Sequence, residues 1–157
     1  MDETEGKLID INASSFLKKL DTLKISHHQV HQKDKIFVFG GSIFRLRDED
    51  GRYYLTYKGP IKLIGGLSSR EKIEIEVSDP WKIQKILLIL GVNVSSPKIR
   101  EKRVKKFKVG KTRCNLVFCE GFKPYLEIKG AVKNIKEACN ILMIDFTKLI
   151  SSHPKNI

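Results

Sequence analysis

The chain has 157 residues, of which 41% are hydrophobic and 31% charged, so its composition fits one globular domain and excludes a disordered chain. No apolar run approaches the ~20 residues of a membrane-spanning helix. The net charge of +12 predicts a polyanionic partner, such as a nucleotide, polyphosphate or nucleic acid, whereas surface charge that only adds stability is the alternative.

The first half of the chain predicts strands around one helix. Its acidic start, with Asp2, Glu3 and Glu5, is the opposite of a signal peptide's basic start and predicts a cytoplasmic protein. Apolar residues at helical spacing predict a helix, and Asp50-Gly51 predicts the turn of a hairpin. The predicted order is strand 3–9, helix 13–23, strand 30–39, hairpin strands 43–47 and 52–58, loop 59–69 and strand 70–77.

The second half repeats this order of one strand, one helix and three strands. Asp79 as a cap and Pro80 at the first helical position predict a helix that ends at Gly91. We expect a single domain over residues 1–150, a flexible tail at 151–157, and one antiparallel sheet built from two related halves. The later elements are the helix that buries Ile83, Ile86, Leu87 and Leu90, strands 98–109, 111–118 and 125–129, and a closing helix 131–150 that includes Phe146 and Leu149.

Charged and apolar side chains alternate strictly along residues 70–77. Successive side chains of a strand point to opposite faces, so one face is mostly apolar and the other fully charged. Residues 44–47 and 53–58 show the same division. Two structures fit this pattern equally well: an ordinary solvated sheet, or a closed barrel that directs its charges inward. The charged face of residues 70–77 comprises Arg70, Lys72, Glu74 and Glu76.

Basic and acidic residues suited to phosphate and metal chemistry recur in the strands. Arg45, Arg47 and Lys58 would converge on adjacent hairpin strands, where arginine forks match phosphate oxygens, although a surface ladder of charge is the alternative. Glu3 and Glu5 would share one strand face and could bind a hard divalent cation, although a solvated acidic terminus is the alternative. Residues 98–113 hold nine basic side chains against one acidic side chain.

Five segments, in chain order over about residues 3–145, resemble the CYTH family, also called triphosphate tunnel metalloenzymes. That family includes class IV adenylyl cyclases, thiamine triphosphatases and inorganic triphosphatases. The resemblance implies an α+β fold: a closed eight-stranded antiparallel β-barrel, the triphosphate tunnel, with helices packed on the outside and two pseudo-repeated halves. The segments are Glu3-x-Glu5-x-Lys7, Phe44-Arg45-Leu46-Arg47, residues 54–60, residues 70–77 and Tyr125-Leu126-Glu127-Ile128.

The resemblance also implies roles for particular side chains inside that tunnel. The family's Lys-x-Arg pair falls near residues 100–103, and we favour the register that turns the even-numbered residues inward. Basic residues would grip the triphosphate, carboxylates would hold Mg²⁺ or Mn²⁺, and one further acid would orient the attacking water. The implied phosphate-binding residues are Lys7, Arg45, Arg47, Lys58, Arg100 and Lys102, the metal ligands Glu3, Glu5 and Glu127, and the catalytic acids Glu74 and Glu76.

Two positions depart from the family pattern and leave the function open. Val117 stands where the family usually has Asp, and Lys129 replaces the second acid of a closing Glu-x-Glu pair. The loss of a ligand and an added ammonium both weaken a hard-cation site. One hypothesis is a metal-dependent enzyme that hydrolyses inorganic or organic triphosphate or cyclises ATP. Another is a non-catalytic tunnel protein with a degraded metal site that binds polyphosphate or RNA.

The expected partners follow from these hypotheses. They are a triphosphate-containing small molecule, a polyphosphate or an RNA 5′ end, with no membrane association and with the chain as a monomer or homodimer. A third hypothesis is a surface-charged sheet protein that has no lumen. It would scatter Arg45, Lys58, Glu74 and Glu127 over the outside of the molecule.

Overall fold

The computed structural model describes residues 2–152, so residues 153–157 of the predicted tail lie outside the described part. Nine strands and three α-helices are present within it, followed by a short 3₁₀ helix. The elements are β1 (Asp2–Leu8), α1 (Ala13–Thr22), β2 (His27–Phe39), β3 (Ser42–Glu49), β4 (Arg52–Lys58), β5 (Lys62–Ile64), β6 (Leu67–Val77), α2 (Pro80–Ile89), β7 (Lys98–Val109), β8 (Thr112–Cys119), β9 (Tyr125–Lys129), α3 (Val132–Leu142) and the 3₁₀ helix Phe146–Lys148.

Eight of the strands close into an antiparallel barrel. The order around the ring is β1-β9-β8-β7-β2-β3-β4-β6, and pairing of β1 with β6 closes it. The short strand β5 pairs with β6, beside the barrel. This closure confirms the predicted barrel and contradicts the surface-charged sheet, because a closed sheet has an interior that its inward side chains must fill.

The two halves of the chain are related in structure. Each runs as strand, helix and three strands, and strands of the two halves pair at four places: β1 with β6, β1 with β9, β2 with β7 and β4 with β6. Equivalent strands β4 and β9 carry the same pattern, Tyr-Leu-x-x-Lys-Gly, at residues 54–59 and 125–130. The pseudo-repeat therefore places Lys58 and Lys129 at matching positions of the barrel.

The largest hydrophobic cluster lies outside the barrel, between its apolar outer face and the helices, whereas a small cluster of Val104, Val117 and Tyr125 lies on the inward face. Phe16 and Leu20 of α1 and Ile135 of α3 are buried against outward side chains of β8 and β9, among them Leu116 and Leu126. Helix α2 contacts the barrel over a smaller area than α1 and α3 do, and this contact buries Leu87. Because the helices cover the outside, the polar faces of the strands are left to line the interior.

Two elements differ from the sequence prediction. The closing helix ends at Leu142 instead of residue 150, because Met143 adopts a left-handed conformation (φ 55°) that no Gly or Pro announces. Leu149 is nevertheless buried in the same core through the segment that follows. The predicted loop 59–69 was also too long, since it contains β5 and the first residues of β6.

The apolar stripe predicted for α2 is only partly buried. Leu87 packs against the barrel and Ile83 is half-buried, but Ile86 and Leu90 remain 51% and 69% exposed. This ten-residue helix touches the barrel along one narrow line, which the spacing of apolar residues could not reveal. None of the helices within residues 2–152 has the length and apolar content needed to cross a bilayer.

Candidate active site

The interior of the barrel is a strongly basic cavity. Inward side chains enclose an inner space of about 140 Å³, which adjoins a wider space of about 800 Å³ at one mouth of the barrel. Arg45, Arg47 and Lys129 line both spaces. Among the described residues, three acidic side chains line the inner space, against eight basic ones: Lys7, Arg45, Arg47, Lys58, Arg70, Arg100, Lys102 and Lys129.

Arg45 is the most deeply buried arginine of this cavity, with 8% of its surface exposed. Its Nη2 donates to Thr56 Oγ1 at 3.1 Å and to Glu74 Oε2 at 3.2 Å. Its Nε is buried and donates to no atom among residues 2–152. Burial, reinforced by the neighbouring charge of Arg47, lowers the pKa of Arg45 below its ordinary value. A buried guanidinium with an unused donor suits an anion that enters the cavity.

Arg47 is held by Asp34, a residue that the sequence interpretation missed. Both Asp34 oxygens accept from Arg47, each at 2.7 Å, and Lys102 Nζ lies 3.6 Å from the same carboxylate. Burial would raise the pKa of Asp34, but the hydrogen bonds and charge of Arg47 lower it to about 2. Asp34 lies on β2, directly opposite Arg47 on β3. Only a correct prediction of this strand pairing could have identified Asp34 from the sequence.

The three candidate metal ligands do meet, and an ammonium group lies among them. Lys129 Nζ is 3.9 Å from Glu3, 3.7 Å from Glu5 and 3.4 Å from Glu127. Burial alone would lower the pKa of Lys129, but the charges of Glu127, Glu5 and Glu3 together raise it above its ordinary value. We call Glu3, Glu5 and Glu127 the carboxylate cluster.

A divalent ion does not fit this cluster as the residues stand. No group of three or more His, Cys, Asp or Glu side chains in the described part of the chain is arranged to hold a metal ion. A hard cation would need the carboxylate oxygens that already face Lys129 and would lie against its positive charge. Val117, the other departure from the family pattern, packs against Val104 and Tyr125 and supplies no ligand.

The remaining predicted residues divide between the interior and the rim. Lys7 is 5% exposed and bonds Glu5, while its backbone pairs with Ile150. Arg100 lines the inner cavity, so the even-numbered face of β7 does point inward. Glu74 accepts from Thr56 at 2.7 Å and lies inside the wide mouth.

Glu76 does not join the group inside the barrel. It lies at the rim, where it forms a two-armed ion pair with Arg52 at 2.6 and 2.9 Å, and its side chain is 49% exposed. The two predicted catalytic acids are therefore in different surroundings. Strand alternation placed them on one face but could not show where the barrel ends.

Two lysines of the cavity have strongly lowered pKa values. Burial and the charges of Arg45 and Lys129 lower the pKa of Lys58 to about 7, although Glu5 and Glu3 oppose the shift. Burial and Arg47 lower the pKa of Lys102 to about 8. No carboxylate in residues 2–152 lies within ion-pair distance of Lys58, and the residue paired with it on β6 is another lysine, Lys72.

Binding of a multivalent anion in this cavity should be accompanied by proton uptake at pH 8. Lys58 is then mostly neutral in the free protein, and a bound anion would restore its charge by raising its pKa. Affinity should therefore fall as the pH rises from 7 to 9. Calorimetry in buffers of different ionisation enthalpy measures the uptake, which Lys58→Met should reduce. Equal proton uptake by this variant and the wild type would contradict the attribution of the uptake to Lys58.

Comparisons with known proteins agree with this fold. The sequence is 31% identical over 128 residues to a Methanocaldococcus jannaschii protein named "putative adenylate cyclase". The matched region covers 79% of this chain and 70% of that protein. A Pyrococcus horikoshii protein has the same fold, with a TM-score of 0.79, 21% identity and 96% of each chain covered. No protein-family model matches the sequence.

A third relative carries a name that mentions triphosphate chemistry. It is a Hippeastrum protein described as a putative adenylyl cyclase with dominant triphosphatase activity. Its structure superposes with a TM-score of 0.66 at 17% identity, covering 98% of this chain and 91% of that chain, and this likeness shows the fold alone. The archaeal relative, the closed eight-stranded barrel and its charged interior together identify this chain as a member of the CYTH family of triphosphate tunnel metalloenzymes.

Proposed function

We propose that this protein binds a linear triphosphate inside the barrel and hydrolyses its terminal anhydride. The observation that carries the proposal is Arg45, a buried guanidinium with an unused Nε donor in a cavity that holds more basic than acidic side chains. Phosphate oxygens accept hydrogen bonds from arginine in a fixed fork geometry, so a triphosphate would compensate charges that the free protein leaves unbalanced.

The proposed chemistry needs little beyond positioning and charge. Phosphoryl transfer spreads negative charge over the transferring group and its leaving oxygen, and buried cations stabilise that charge. Arg45, Lys58 and Lys102 would hold the phosphate chain. Glu74 lies 3.2 Å from Arg45 and would orient the attacking water at the wide mouth. The family resemblance implies that Glu3, Glu5 and Glu127 would hold a metal ion, but in this chain the Lys129 ammonium lies among them.

A second candidate function is binding of polyphosphate without turnover. Lys129 favours it, because an ammonium now lies within 3.9 Å of each member of the carboxylate cluster. Charge-driven binding of this kind should weaken steeply with added salt and should not respond to a chelator. The two candidates share the cavity and differ only in whether a phosphorus–oxygen bond breaks.

A panel of substrates distinguishes these outcomes. Inorganic triphosphate, ATP, thiamine triphosphate and a 5′-triphosphorylated RNA are each incubated with the protein in EDTA, Mg²⁺ or Mn²⁺, and released phosphate and cyclic AMP are measured. Phosphate release supports the triphosphatase, whereas cyclic AMP would show cyclisation instead. Tight binding without turnover supports the second candidate. A folded protein that neither binds nor hydrolyses any of them would contradict both.

A further inference from the structure

We propose that the Lys129 ammonium is the resident cation of this tunnel: it takes the place of a divalent ion within the carboxylate cluster and contacts the bound phosphate chain directly. This inference rests on the proposed function and specifies how the same site works. The ammonium lies 3.4–3.9 Å from three carboxylates that come from two strands, β1 and β9. Its side chain is only 14% exposed.

The rest of the cluster leaves little unbalanced negative charge for a metal. Glu3 Oε2 also accepts from Arg113 at 2.9 Å and from Lys72 at 3.3 Å. Glu5 bonds Lys7, and Asn115 donates to Glu127 at 3.2 Å. Four cationic side chains therefore face three carboxylates. A divalent ion would add two more positive charges to a cluster whose negative charge is already compensated.

The position of Lys129 in the fold links it to phosphate binding as well. The strand pattern Tyr-Leu-x-x-Lys-Gly recurs in β4 and β9, so Lys129 is the counterpart of Lys58 in the other half of the barrel. Lys129 lines both the inner cavity and the wide mouth, where Arg45 also lies. The carboxylate cluster thus positions the Lys129 ammonium toward the lumen instead of binding a metal ion.

Titration with Mn²⁺ alone tests the first part of the inference. Electron paramagnetic resonance of free Mn²⁺ is followed for the wild type, Lys129→Glu and Lys129→Met. We expect no wild-type site tighter than about 1 mM and at least about tenfold tighter binding by Lys129→Glu, which adds a ligand as it removes the blocking charge. Lys133→Glu, the same charge change on the exposed face of α3, is the matched control and should resemble the wild type.

Two results would overturn this part. One is micromolar Mn²⁺ binding by the wild type, and the other is a folded Lys129→Glu variant that binds no better than Lys133→Glu. If Lys129→Glu fails to fold, Lys129→Met still decides the question, since removal of the ammonium alone should tighten Mn²⁺ binding. Circular dichroism establishes the folding of each variant.

Calorimetry with inorganic triphosphate in EDTA tests the second part. The wild type should bind, and Lys129→Met should bind about tenfold more weakly, the loss expected for one charge-assisted hydrogen bond. Unchanged affinity in this variant would overturn the phosphate contact. If the wild type binds no triphosphate in either EDTA or Mn²⁺, the proposed function fails, whereas the Mn²⁺ titration still decides whether Lys129 occupies the metal position.

Discussion

Replacing Arg45 by Met should weaken triphosphate binding by about 100-fold, since a charged hydrogen bond contributes roughly 1.5–3 kcal/mol and a tenfold change corresponds to about 1.4 kcal/mol. The loss is large because Arg45 is 8% exposed and surrounded by the interior of the barrel, where water screens little of its charge. Calorimetric titration with inorganic triphosphate measures the effect. Arg45→Lys should recover only part of it, because an ammonium keeps the charge but not the fork.

The matched control is Arg103→Met, which removes the same charge from the outer face of β7. Arg103 is exposed and its guanidinium lies 5.5 Å from the ring of Phe118, away from the cavity. If the net charge of +12 alone drove binding, both variants would lose affinity equally. Equal losses would therefore contradict an internal site, whereas a loss confined to Arg45 supports it.

Asp34→Asn should change stability and binding in opposite directions. The carboxylate is 1% exposed and compensates Arg47 and Lys102, so its removal leaves two buried cations without their counter-charge. Breaking a buried pair in this way costs about 3–5 kcal/mol of the free energy of unfolding. The same cations then become available to phosphate, so triphosphate affinity should rise by about tenfold or more.

Urea unfolding with and without inorganic triphosphate measures both effects. The lowered pKa of Asp34 stabilises the folded protein above pH ~4, and this contribution disappears as the pH falls toward 2. The variant should therefore lose less stability than the wild type over that pH range. Asp21→Asn, at an exposed position of α1, is the control. It should leave the stability, the triphosphate affinity and the pH dependence of stability unchanged. A stable Asp34→Asn protein with unaltered affinity would contradict this role.

The interior of the barrel was predictable wherever only one face of a strand is charged. In β6 and in the β3–β4 hairpin, apolar outer residues mark the charged face clearly, and Arg45, Arg47 and Glu74 lie inside as expected. In β2 both faces carry charge, because Lys33 and Lys35 lie outside while Asp34 lies inside, so alternation gave no signal. Only the pairing of β2 with β3 brings Asp34 to Arg47.

The limits of the elements were less predictable than their order. The left-handed residue that ends α3 is Met143, a type that gives no warning in sequence. Periodicity also shows which face of a strand is apolar without showing what covers it. Ile73 and Ile75 on the outside of β6 remain 53% and 54% exposed, because no helix within residues 2–152 covers them. Coverage depends on the distant placement of α2, which a local pattern cannot encode.

A crystal structure of the complex with inorganic triphosphate tests the central claim most directly. The claim is that an anion binds within the ring of eight strands through side chains from both halves of the chain. We expect the phosphate chain inside the barrel, with one oxygen accepting from Arg45 Nε and another within hydrogen-bond distance of Lys129 Nζ. A triphosphate bound instead to the exposed basic residues on the outer face of β7, with the interior unchanged, would contradict it.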